Sequence, residues 1–91
     1  MGKQAQLLRK VVNPGRIKKL NGLLPAIHNW ELNMLKLSQE YNVIIEKELK
    51  IGILLELVPT TVTEIMVQRI EKEDDYKTVK EQVLRYVEQR E

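Results

Sequence analysis

The chain has 91 residues, 43% hydrophobic and 31% charged, which suits one domain with one modest core and is too apolar for a disordered tail. It contains no cysteine and one histidine, His28. Disulfides, thiol catalysis and cysteine- or multi-histidine metal sites are excluded, so no metal and no cofactor is expected.

The net charge of +2 hides an asymmetry: residues 1–30 hold six cations and no acid, whereas the remainder holds nine basic against thirteen acidic side chains. In chain order, Gln6 to Val12 reads as a short helix and Arg16 to Leu24 as another, divided by the turn signal Asn13-Pro14-Gly15. Residues 1–24 thus form a basic N-terminal helical segment. Its cations Lys3, Arg9, Lys10, Arg16, Lys18 and Lys19 are either candidate contacts to nucleic acid, with RNA held weakly, or a solvated face beside an acidic body.

Residues 25–91 form the larger part of what is expected to be a single globular unit. Pro25 follows Asn21-Gly22 and suits the first turn of a helix, where its missing N–H costs nothing. From there to Tyr41, Ile27, Trp30, Met34, Leu37 and Tyr41 step by three and four into one apolar stripe, while Leu32 and Leu35 lie off it. The next segment, Ile44 to Val58, differs. At about 100° per residue, Leu49, Ile53 and Leu57 fall on one side and Ile51, Leu54, Leu55 and Val58 on another. A helix apolar on two sides has to be covered on both, by its own chain or by another copy.

Val58-Pro59 ends that helix, because the residue before proline is pushed out of helical geometry. Thr61 and Glu64 then have capping-box spacing. They open a helix to about Lys72, with Val62, Ile65, Met66 and Ile70 as its stripe and Val67 off it. Glu73-Asp74-Asp75 is the last break and supplies an N-cap aspartate. A final helix over residues 75–91 carries Tyr76, Val79, Val83, Tyr86 and Val87 on one side. The expected fold is all-α, a bundle of four to five short helices.

Catalysis needs a positioned nucleophile, base or metal. His28 has no aspartate before Asp74 to partner it in sequence, and Glu71, Glu73, Asp74 and Asp75 lie in a polar break that reads as a cap. No glycine-rich phosphate loop is present, and the chain is not expected to be an enzyme. The corner at Pro59 could mimic a helix-turn-helix, but its second helix sets Arg69 and Lys72 against Glu64 and Glu71 and has no net positive face for phosphates. No stretch reaches the roughly 18 apolar residues of a membrane span, and no apolar signal core opens the chain. An intracellular, cytoplasmic protein is expected.

The run "HNWELNMLKLSQEYNVIIEKELKIGILLELVPTTVTEIM", followed by "DDYKTVKEQVLRYVEQRE", resembles the capsid C-terminal domain in the Gag region of long-terminal-repeat retrotransposons. Retroviral and Arc-like capsid proteins are of the same kind. The features that carry the resemblance are Trp30-Glu31, a helix over Ile44–Leu57, the Val58-Pro59 corner, a capped helix over Thr61–Ile70, and a final helix from Tyr76 to Arg90. What the resemblance implies is a helical capsid module that dimerises or forms larger homo-oligomers and helps build a virus-like shell around RNA. The candidate self-association surface is Ile51, Leu54, Leu55, Val58, Val67, Leu32 and Leu35; the candidate core is the set of stripe residues named above other than Tyr41, with Leu49, Ile53 and Leu57. The alternative is a small helical adaptor or nucleic-acid-associated domain.

Overall fold

Helix-forming sequence, broken by few glycines and prolines, resolves into five helices. In the computed structural model, which describes residues 2–90, they are α1 (Gly2–Val12), α2 (Leu23–Tyr41), α3 (Lys47–Leu57), α4 (Thr60–Arg69) and α5 (Tyr76–Arg90). No strand occurs among the described residues. Met1 and Glu91, the outer ends of the two expected segments, lie outside the described residues. Helix α1 packs on α2, and α3, α4 and α5 pack on one another.

Local chemistry sets the helix ends. Asn42 closes α2 in the left-handed region (φ 57°), a conformation that Asn tolerates better than other residues with a side chain, and its N–H reaches back to Ser38 O at 3.2 Å. Gly15 (φ 85°) makes the turn after α1, where a side chain would be strained. Asp75 caps α5, accepting the Thr78 N–H at 2.8 Å. That bond, first among several influences, holds the Asp75 carboxyl below its usual range.

Three expectations are corrected. Residues 16–24 are not a short helix: the chain is irregular from Asn13, makes one 3₁₀ turn at Leu20–Gly22, and enters α2 at Leu23, so α2 runs across the expected boundary at residue 24. Val43 to Glu46 is an extended link, and α3 starts only at Lys47. The Thr61–Glu64 capping box is not formed, because the cap position falls two residues earlier, at Pro59, and α4 starts at Thr60.

The core joins α2 to α3, α4 and α5: Leu23, Ile27 and Trp30 cluster with Ile53, Leu54, Leu57 and Val58, with Val62 and Met66, and with Val79, Val83, Tyr86 and Val87. Met34, Ile65, Ile70 and Tyr76 are partly buried against it, and Leu37 is fully buried. Leu49 is the exception among the expected core residues at 51% exposure: it stands in the first turn of α3, whereas Ile53 and Leu57, one and two turns further along the same side, are buried.

The segment before α2 ties this core together. A helix ending in proline leaves carbonyls without intrahelical donors. Here Ile17 N–H donates to Leu57 O at 2.7 Å, and the Arg16 guanidinium donates to Val58 O at 2.8 Å and to Thr63 Oγ at 3.0 Å. The Thr63 hydroxyl in turn donates to Leu55 O. The end of α1 is held likewise, by a buried bond from Trp30 Nε1 to Val11 O at 2.8 Å. Residues 11–17 are therefore part of the packed unit.

Candidate association surface

The molecule is thin, 41 × 28 × 16 Å in its principal extents, little more than one helix diameter in its shortest direction. A helix in such a slab is covered on both flanks only if it lies between others. Helix α3 meets this condition: Leu54 and Val58 have no exposure, and Ile51 and Leu55 are half-buried against the core. Leu54 and Val58 are therefore core, not surface, and Ile51 and Leu55 offer only an edge. The second apolar side of α3 is covered by its own chain, on α4 and α5.

Helix α2 carries the uncovered apolar side instead. Leu32 (48%) and Leu35 (51%) are exposed as expected, and Leu24 (49%) joins them. These three leucines fall within about 80° of one another around the helix, and exposed His28 lies among them. Val67 (61%) is also exposed but stands on α4.

Beside this stripe a cleft of about 320 Å³ opens between α2, the extended link and the start of α5. Its apolar wall is Met34, Leu35, Val43, Ile44 and Ile45, and Ile44 is 80% exposed. The polar end is fixed by Glu31, which accepts the Tyr76 hydroxyl at 2.7 Å and the Lys80 ammonium at 2.8 Å. Lys50 Nζ lies 5.1 Å from the centre of the Tyr76 ring, within cation–π reach, and Trp30 meets the ring at 6.0 Å and 60°. Burial first, and then Glu31, pushes the Tyr76 phenol above its usual pKa. These contacts hold the α2–α5 junction in place under the cleft.

Sequence reasoning missed Leu24 and Ile44. Leu24 was legible only if the helix began before Pro25; eight and eleven residues on, Leu32 and Leu35 share its face. Ile44 opens the segment expected to be helical over Ile44 to Val58, and its exposure follows from that helix starting only at Lys47. Of the six N-terminal cations, Arg16 is engaged with Val58 and Thr63, so it serves the fold rather than a partner. Lys3, Arg9, Lys10, Lys18 and Lys19 are exposed.

No helix is long and apolar enough to cross a membrane, and no group of acidic or histidine side chains is placed to hold a metal ion, among the described residues. No family model, curated protein or solved structure matches the chain.

Proposed function

We propose that this protein is an assembly module that self-associates through the outward face of α2. The observation that carries the reading is the leucine stripe of Leu24, Leu32 and Leu35, continuous through Leu35 with the cleft bordered by Ile44. Scattered exposed leucines are ordinary on a soluble protein, but an aligned set beside an apolar cleft is the pattern of an interaction site. A second copy is the natural occupant, because a leucine stripe on a straight helix complements itself across a two-fold axis. The order of helices and the Val58-Pro59 corner also support a capsid C-terminal-domain-like role of the kind found in retrotransposon Gag, working inside the cell and building a shell rather than catalysing a reaction.

Sedimentation equilibrium from ten to several hundred micromolar (roughly the Kd range of an association worth about 5–7 kcal/mol) tests it. The wild-type chain is expected to shift from monomer toward dimer or larger species. Leu32→Glu/Leu35→Glu is expected to remain monomeric with its melting curve retained, and Val67→Glu is expected to associate normally. A wild-type chain that stays monomeric throughout overturns the reading. Loss of association in Val67→Glu alone moves the interface to α4.

A further inference from the structure

Helix α1 lies along α2, and a cleft of about 340 Å³ opens in the seam between them; a second, of about 310 Å³, shares Lys10 and lies between α2 and the segment that follows α1, at Asn13, Pro14 and Ile17. Lys3, Lys36 and Tyr41 line the first; Asn29 and Asn33 line the second. Among the described residues the ion pair formed is Lys80–Glu31, so the three seam lysines have no carboxylate partner, although Glu40 lies on the same cleft. This places cations along a trench, amides that can both donate and accept on its wall, and an aromatic ring at one end.

We infer that the seam between α1 and α2 binds single-stranded nucleic acid, with Lys3, Lys10 and Lys36 on the phosphates. Phosphate neutralisation supplies most of the affinity in sequence-independent binding, and amides and a ring serve bases of any identity. The eleven residues of α1 span about 16 Å, room for roughly five stacked nucleotides. A membrane surface is the weaker fit: it calls for apolar side chains projecting beside the cations, and the exposed Leu8 and Val12 of α1 do not line the seam. The site differs from the cationic segment apparent in the sequence. Lys36 enters it from the middle of α2, Arg16 is occupied in the fold, and Lys18 and Lys19 lie outside both clefts.

The test is anisotropy of a labelled ten-nucleotide RNA of mixed sequence, titrated with the full chain between 50 and 200 mM salt. Three phosphate contacts predict a log–log salt slope of about −2, an affinity loss of about twenty-fold across that range. Lys10→Gln/Lys36→Gln is expected to keep its melting temperature and to flatten the slope by about 1.4, whereas Lys18→Gln/Lys19→Gln leaves it unchanged. Equal losses in the two variants overturn the site in favour of diffuse attraction. Absence of binding at 50 mM salt overturns it outright. Phosphatidylserine vesicles that capture the chain through Lys10 and Lys36, without RNA binding, assign the seam to a membrane instead. A duplex that competes as well as the single strand removes the single-strand assignment.

Discussion

Helices α2 and α3 begin with the same problem and resolve it in opposite ways. Each has apolar residues on two sides. In α3 the second side, Leu54 and Val58, disappears into the core against α4 and α5, and its exposed apolar residue is Leu49, on the side expected to be buried. In α2 the stripe of Leu23, Ile27 and Trp30 is buried while Leu24, Leu32 and Leu35 remain in solvent. The difference is one of position: α3 lies between elements, and α2 forms a flank of a slab whose thinnest dimension is 16 Å. Surplus apolar surface in a sequence thus signals a need for cover without saying which helix the chain itself will cover.

The sharpest way to break this comparison is to truncate one leucine on each helix. Leu54→Ala is expected to cost about 2–5 kcal/mol, because Leu54 is fully buried and its loss leaves a cavity. For a domain of this size, stable by on the order of 5–13 kcal/mol, that is a large fraction of the total. Leu35→Ala is expected to change stability by no more than about 0.5 kcal/mol. Urea unfolding at low protein concentration measures both, and similar losses at the two sites would remove the distinction between covered and uncovered faces.

A smaller effect probes the end of α3. Arg16→Ala removes the donor to Val58 O and Thr63 Oγ and is expected to cost about 1–2 kcal/mol, with nucleic-acid affinity retained if the seam is the binding site. An effect of the same order lies at the α2–α5 junction, where Tyr76→Phe loses the hydroxyl bonded to Glu31, a bond worth roughly 1–2 kcal/mol. Because the folded pKa of Tyr76 is raised above its ordinary value near 10, its contribution is complete below about pH 10 and declines as pH rises further. The gap between wild type and Tyr76→Phe in a melting series is therefore expected to narrow above pH 10. A gap that widens there would contradict the buried, protonated phenol.

Much of the fold was legible because its signals are local. The spacing of Ile27, Trp30 and Leu37, the end of their helix at Tyr41, the Val58-Pro59 corner and the Asp75 cap each depend on residues within a few positions of one another, and each is present. The failures involve contacts between distant residues. Residues 16–19 have helix-forming side chains but stay irregular, because the Ile17 N–H and the Arg16 guanidinium bond carbonyls of Leu57 and Val58, forty or more positions away at the end of α3. Thr61 does not cap α4, since the helix begins at Thr60 and Thr63 bonds across the corner to Leu55. The candidate association surface was half legible: Leu32 and Leu35 could be seen leaving their stripe, but nothing local distinguishes them from Leu54, which is buried.

The sequence by itself therefore determined an all-helical chain, most of its breaks, the greater part of its core stripes and the concentration of positive charge near its start, because periodicity, capping and composition act over one or two turns. Only the tertiary structure decided that α3 is covered and α2 is not, that Arg16 closes a helix end, and that Lys3 and Lys10 share a seam with Lys36. Those outcomes depend on which helix lies against which, and that is set by burying one shared core, a condition that no short stretch of the chain contains.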